Sequence, residues 1–551
     1  MKNKKNCIDL SDLDSNQTKR INEIMAKKRY EYADFVDNFC RENKNEKLLW
    51  SLPFVTRNVF SDDSFEKICR VIFIKSELSK NHAGCVSGLC ESEMRCISDN
   101  KILFPKDCFY TNIIEAPSTR KVKDLIIDYK WIRQFLRIRR RTRCSSKISP
   151  YIIITPLLSS CVKNDGYKDR YFTNICQYLD NAVHFCPMIV FDDKKSCTDV
   201  INRLCEDTNY SFLFYEAYCK IWDLFQICRY HSLCKRLLNS KDKYVFDNID
   251  VTHIIMDSIR QSMHRADVYY GLLFDRFLYR LSETSSFAPS FLVWYEGRPA
   301  DLQVISSVRT YFPKSKCIAY ELFPYSSEWC ALFFSRYEWE SKHAPTKVVV
   351  PGGYDKEHYR YYENAIIQQA PMLRAEYNLR KRSIYEGRCR IILLMSYFTS
   401  VCSMMLEMLD EYLKESNAKI QREIFVKNHP TKAKYKLEDY IDREMCFSVK
   451  YVEGDLQDCL DDIDIAITSS STSSLEVLFS NVNLVLLCGN GKLLFSGLSD
   501  CISKDMYSVC YGQSEFNGTM RRLEAGYQYD NSTLKDLLVP LNRDTAQTIF
   551  E

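Results

Sequence analysis

Short β-branched and apolar runs recur from residue 391 onwards, separated by stretches long enough for a helix. They occupy residues 391–395, 423–426, 448–452, 463–468 and 484–488. Runs of this length with little polar interruption predict strands buried on both faces. Strands that alternate with helices pair in parallel, because a parallel pair needs a long crossover and the helix supplies it. A doubly wound α/β domain is therefore predicted over residues 388–551. The same alternation runs more loosely through the first part of the chain. Strands are predicted at 151–156, 187–191, 291–295, 316–320 and 347–350, with long helical stretches at 206–234 and 251–282. A chain of 551 residues has room for two such domains. The predicted division is a helical segment over 1–46, a first Rossmann-like domain over 47–387 with helical insertions and a bridging segment at 355–387, and a second Rossmann-like domain over 388–551.

Before residue 150 the pattern is less regular. A helix is expected over 17–46, a buried strand over 48–54 ending at a proline, and a helix over 64–69. Strands are expected at 71–74 and 101–104, with residues 80–100 as a loop. A helix over 121–143 ends in Arg137, Arg139, Arg140, Arg141 and Arg143. Cations suit the negative end of a helix dipole, so this cluster reads as a solvated helix end. The alternative is peripheral contact with an anionic lipid surface or a charged glycan.

Composition excludes several classes. The net charge is +4, so the global field is weak and no nucleic-acid partner is expected. The 25 cysteines include no CxxC pair, and Cys85, Cys90 and Cys96 fit no common zinc spacing. The first residues are polar and lack an apolar signal core. The cysteines therefore read as reduced, mostly buried thiols in a cytoplasmic protein, with no metal. The most apolar window, residues 391–406, is broken by Ser396, Thr399, Ser400 and Ser403 and is too short to span a bilayer.

Two segments carry chemistry. Lys427, Asn428, His429 and Pro430 follow the predicted strand at 423–426, and Ser470, Ser471, Thr472 and Ser473 follow the one at 463–468. Ligands of open α/β sheets bind beyond the carboxyl ends of the strands. A strand-to-helix turn there offers free N–H groups and a positive dipole end, and hydroxyls add donors without bulk, which suits a nucleotide phosphate. His429 can donate to a phosphate oxygen and neutralise a departing phosphate. Lys427 is a further phosphate contact or a solvent-facing strand residue. Glu476 reaches a ribose hydroxyl or closes a capping box with Ser473. The serine block itself is alternatively a helix N-cap, and His429 a turn residue. In the first half, Glu296 ends a strand and precedes Gly297, which places it as a general base or a helix-start carboxylate. Glu321, after the next strand, is a second candidate acid or base. The chain has neither a GxxxxGK[ST] nor a GxGxxG pattern, which argues against an ATPase or a dinucleotide enzyme.

The histidine-proline pair His429-Pro430 and the serines around residues 470–473 resemble the short motifs of GT-B glycosyltransferases that use CMP-activated sugars, such as bacterial sialyltransferases, polysialyltransferases and capsule Kdo transferases. The acceptor-side motif of that group is two acidic residues and a glycine. Here it reads Tyr295-Glu296-Gly297, with the first acid missing. Residues 49–58 and 294–326 also resemble surface-carbohydrate biosynthesis proteins. The resemblance implies two Rossmann-like domains facing a cleft and a CMP-sugar donor bound by the second domain without metal. It also implies a glycan or glycolipid acceptor deprotonated by Glu296. A CDP-glycerol-type polyol-phosphate transferase, with His253 or His264 as an extra histidine, and a catalytically inert scaffold remain open alternatives.

Overall fold

The computed structural model describes residues 7–44, 46–80, 85–104, 109–112, 120–145, 147–157, 161–163, 166–169, 172–179, 183–189, 194–321, 329–332, 334–352, 366–371, 373, 388–415, 420–429, 435–439, 447–489, 491–498, 501–537 and 539–551.

A small parallel sheet comes first, built from β1 (Cys7–Asp9), β2 (Cys85–Leu89) and β3 (Phe109–Asn112). The first large sheet begins with β4 (Tyr151–Leu157). After a short hairpin of β5 (Val162–Lys163) and β6 (Gly166–Tyr167) it continues through β7 (Val183–Ile189) and β8 (Ser211–Phe212). A second hairpin, β9 (Val245–Phe246) and β10 (Ile249–Asp250), precedes β11 (Ser290–Tyr295), β12 (Cys317–Glu321), β13 (Lys347–Pro351) and β14 (Ile366–Ala370). The strand order is β14-β13-β12-β11-β4-β7-β8, and every pair is parallel. The second large sheet has the order β17-β16-β15-β18-β19-β20, again all parallel. Its strands are β15 (Arg388–Leu394), β16 (Gln421–Lys427), β17 (Phe447–Tyr451), β18 (Ile465–Thr468), β19 (Asn483–Leu487) and β20 (Tyr507–Cys510). Both sheets start in the middle, wind out one way and then the other. The order reverses between β4 and β11 in the first and between β15 and β18 in the second, and such reversals leave a crevice at the carboxyl edge. The chain is thus an α/β protein with two doubly wound, Rossmann-like sheets.

Sequence pattern explains the strand roles. β11, β12, β13, β18 and β19 are buried along almost their whole length and carry unbroken apolar runs. β16 instead alternates buried and part-exposed residues. The expected strands at 151–156, 291–295, 316–320, 347–350, 391–395, 423–426, 448–452, 463–468 and 484–488 coincide with observed ones.

Several expectations are corrected. Residues 48–54 form two 3-10 turns, Lys47–Ser51 and Pro53–Thr56, rather than a strand. The run at 71–74 lies inside the helix Ser64–Lys80, where Ile68, Val71, Phe73 and Ile74 are all fully buried. A helix enclosed by protein carries the same unbroken apolar run as a buried strand. Residues 80–100 hold β2 and the helix Glu91–Asp99, and residues 101–104 form a turn. The stretch 206–234 breaks into β8, the turns Tyr215–Tyr218 and Ile221–Leu224, and the helix Phe225–Leu238. The stretch 251–282 is two helices, Thr252–Ser262 and Ala266–Thr284. The strand expected at 187–191 is β7, which begins earlier. Part of the bridging segment 355–387 is β14, an edge strand of the first sheet. Apart from Pro371 and Leu373, the rest of that segment lies outside the described residues.

Each half borrows an element from the other end of the chain. The helix Ser15–Glu42 opens with a capping box formed by Asp14 and Gln17. Its Asn22 amide donates to the Lys492 carbonyl (3.1 Å) and accepts from the Leu494 N–H (2.9 Å), beyond β19. Conversely, the helix Arg543–Phe550 packs on the first sheet, with Phe550 against Tyr151. Lys316 donates to the Phe550 and Glu551 carbonyls, and Lys347 donates to the Thr548 carbonyl. The described cysteines are free thiols, most of them buried. Among the described residues no helix is long and apolar enough to cross a membrane.

Candidate functional site

The carboxyl edges of the two sheets meet at an aromatic seam. Phe60, reached from the turn Pro53–Thr56, stacks on Phe398 after β15 (centroids 5.4 Å, 12° between planes). It also meets Phe495 after β19 (5.6 Å) and Trp329 after β12 (4.6 Å). Asn58 fixes this approach. Its side-chain amide donates to the Glu296 carbonyl (2.7 Å), and its side-chain oxygen accepts from the Phe60 N–H (2.9 Å). The preceding Arg57 makes a fully buried ion pair with Glu338 (2.9 Å). Residues 49–58 thus act as an anchor that brings the two edges together.

On the second edge, Asn428 bridges to Tyr435, donating to its carbonyl (3.3 Å) and accepting from its N–H (2.9 Å). His429 is half-buried next to it, and its imidazole and the Tyr397 ring meet edge to face (5.5 Å, 81°). Tyr397 is 47% exposed and sits between the end of β15 and the helix Thr399–Glu415. That 17-residue helix starts just beyond the carboxyl end of β15, so its positive dipole end lies on the same edge of the sheet. Pro430 lies outside the described residues. The Lys427 ammonium donates to the Gly454 carbonyl (2.6 Å).

The serine block follows β18 at the reversal of strand order. The Ser470 hydroxyl accepts from the Phe495 N–H (3.1 Å), and that of Ser471 accepts from the Ser473 N–H (3.2 Å). The helix Ser473–Phe479 has Thr472 as its N-cap residue, with no side-chain capping bond. Glu476 therefore lies past the third helical position and closes no capping box with Ser473. It is buried (5% exposed) one turn below the hydroxyls. Gly497 holds the facing loop in a left-handed conformation (φ +66°), where a side chain would press against Thr472. Ser470, Ser471, Thr472 and Ser473 are all partly exposed.

On the first edge, β11 runs into the turn of residues 296–298 and then the helix Pro299–Tyr311. Pro299 at the first helical turn suits its fixed φ and missing N–H. The buried Asp301 carboxylate organises the turn, accepting from the Glu296 and Arg298 N–H groups (both 3.1 Å) and from the Arg298 guanidinium (2.8 Å). The Glu296 carboxylate is 27% exposed and lies 3.4 Å from Arg298. Burial works against the Arg298 charge, but Asp301 and Glu296 hold its pKa above the ordinary value. Gly297 is left-handed (φ +68°), and a side chain there would strike Ala331, 2.8 Å from its carbonyl. The glycine thus makes room for protein rather than for a ligand. Glu321 closes β12 but is fully buried. His253, just after β10, pairs with Asp99 (3.0 Å), and His264 pairs with Asp128 (2.9 Å). His264 joins His231 and Asp128 in a cluster closed by the Tyr269 hydroxyl, which donates to Asp128 (2.6 Å).

The structure therefore brings together His429, the serine block and, through Asn58 and the aromatic seam, Glu296. Sequence reasoning missed Asn58, Phe60 and Tyr397. Tyr397 had a signal, since it follows the first strand of its domain, where the strand order reverses.

No family model and no curated relative matches the chain. Among solved structures, the apo form of the lipopolysaccharide outer core galactosyltransferase WaaB aligns with a TM-score of 0.40 and 10% identity, over 72% of this chain and 98% of that one. Acinetobacter baumannii MurG aligns at 0.37 and 9% identity, over 73% and 98%. The N-terminal domain of Candida albicans trehalose-6-phosphate phosphatase aligns at 0.39 and 11%, over 74% and 95%. Alignments this loose decide nothing about function, which rests on the chain's own geometry.

Proposed function

We propose that the chain is a GT-B-type glycosyltransferase. It moves a sugar of the Kdo, sialic acid or other nonulosonic acid kind from a CMP-activated donor to a cell-surface glycan or glycolipid. The observation that carries this reading is the second carboxyl edge. There the Tyr397 ring, with the His429 imidazole against it, follows β15 and the partly exposed hydroxyls of residues 470–473 follow β18, on the two sides of the reversal point. Such a set donates hydrogen bonds to a phosphate and offers a ring for a base or sugar face. The acceptor hydroxyl enters from the first edge and gives its proton to Glu296. Its oxygen bonds to the anomeric carbon as the bond to the CMP phosphate breaks, and His429 donates to the departing phosphate oxygen. Helix dipole and hydrogen bonds carry the leaving charge, so no metal is required in this scheme. The enzyme works on the cytoplasmic side, with peripheral contact at the inner membrane face through the basic helix end at residues 137–143.

One observation favours the inert-scaffold alternative. Arg298 lies 3.4 Å from the Glu296 carboxylate, so an acceptor hydroxyl has to compete with an ion pair for it. Calorimetric titration of the full chain with CMP, CDP and UDP in the presence of a chelator tests the reading. CMP should bind without divalent metal. Strict dependence on Mg²⁺ or Mn²⁺, or much tighter UDP binding, would overturn the donor assignment.

A further inference from the structure

One apolar cluster stands out from the surface. Trp222 is 71% exposed, and Ile221 and Phe225 are each 57% exposed. The Trp222 and Phe225 rings lie parallel (6.0 Å, 7°) on the turn Ile221–Leu224 and the first residue of the helix Phe225–Leu238. The turn cannot fold these rings inwards, because Asp223 pins it from below. That carboxylate is buried, accepts from the Lys220 N–H (2.6 Å) and is held by Arg280 (2.9 Å). Asp223 is also the sole carboxylate in residues 220–241, whereas Lys220, Arg229, Lys235, Arg236 and Lys241 are all exposed. The basic helix end lies alongside. Arg139 donates to the Cys219 carbonyl (2.8 Å), and the Ser145 N–H donates to the Tyr218 hydroxyl (3.0 Å), which places exposed Arg140 and Arg143 next to the turn.

We propose that this turn is a membrane-docking tip. Ile221, Trp222 and Phe225 enter the interfacial region of an anionic bilayer while Lys220, Arg229, Arg140 and Arg143 meet the headgroups. Aromatic rings at the headgroup level with a cationic surround are the usual physics of interfacial attachment. A second copy of the chain is a poor occupant, since a two-fold contact would press these cations against their own images. The proposal deepens the membrane-side part of the proposed function and supplies its apolar half, which the basic cluster alone lacked.

The test is co-sedimentation of the full chain with phosphatidylcholine vesicles and with vesicles containing about 30 mol% phosphatidylglycerol. Binding should require the anionic lipid and fall with salt. The double variant Trp222→Ser/Phe225→Ser should weaken it roughly tenfold or more, and Arg140→Glu/Arg143→Glu by several-fold. A wild-type chain that stays in the supernatant with anionic vesicles overturns the proposal, as does a Trp222→Ser/Phe225→Ser variant that pellets normally. So does a wild-type dimer in sedimentation velocity that the same variant converts to monomer. CMP titration of the same samples is independent: lost CMP binding strikes the donor assignment and leaves the lipid result standing.

Discussion

The two carboxyl edges share a topology but differ in how they treat their polar groups. On the first edge they are spoken for by the protein itself. Glu296 faces Arg298, Arg298 is locked to Asp301, and Glu321 and the Arg57–Glu338 pair are buried. On the second edge the imidazole and the hydroxyls sit in turns and stay partly exposed. In the proposed reading the first edge holds its groups in place and the second receives the donor. The same winding therefore gives one edge whose carboxylates are held by neighbouring cations or buried, and another whose imidazole and hydroxyls lie partly exposed.

The sharpest attack on this contrast is Glu296→Gln. The substitution keeps shape and removes the proton acceptor, so transfer should drop about 10²–10⁴-fold with CMP affinity unchanged. Normal transfer would make the whole first edge structural. The companion Glu321→Gln, at a buried position, should retain turnover, and a dead variant there would move the base by one strand. Next in size, His429→Ala should lower turnover roughly 10²-fold, more than it weakens CMP binding, because a leaving phosphate carries more charge than a bound one.

The third prediction probes the rigid side through pH. Glu216 is fully buried, and burial pushes its carboxyl up to about 8. A folded value above the unfolded one contributes stability below the ordinary carboxylate range and loses it as pH rises towards 8. Glu216→Gln should therefore raise the melting temperature at pH 8, by an amount corresponding to a few kcal/mol at most, and change it little near pH 4. An equal gain at both pH values would show that packing, not charge, is at work. The smallest effect belongs to Ser470→Ala. The Ser470 hydroxyl accepts from the Phe495 N–H and is partly exposed, so CMP affinity should fall by roughly 1 kcal/mol, under tenfold, with turnover at saturation nearly intact. A larger loss in turnover would place Ser470 on the transition state.

The contrast also explains what was readable in sequence. β15 to β19 were legible because each is a short apolar run bounded by polar residues, and His429 and the serine block fall directly at strand ends. The run at 71–74 misled because a helix packed on all sides needs no polar face. β20 was missed, since Tyr507 and Ser508 interrupt its apolar character. Asn58 and Phe60 act only through contacts with distant segments, and nothing local marks them, whereas Tyr397 is marked only by its place after the first strand of its domain. The capping box expected between Ser473 and Glu476 failed because the helix starts one residue earlier than that pairing requires.

The exchange of end helices has a consequence for how such a protein can be cut and recombined. The eight-residue helix Arg543–Phe550 follows the second sheet in sequence but covers the first, where two lysine ammonium groups hold its final carbonyls. Asn22, near the other end, is clamped to the loop beyond β19. The halves are therefore not cassettes. A chimera that replaced the second sheet with that of another enzyme would have to retain Arg543–Phe550, or it would leave Tyr151 and its neighbours bare and the first half prone to aggregate.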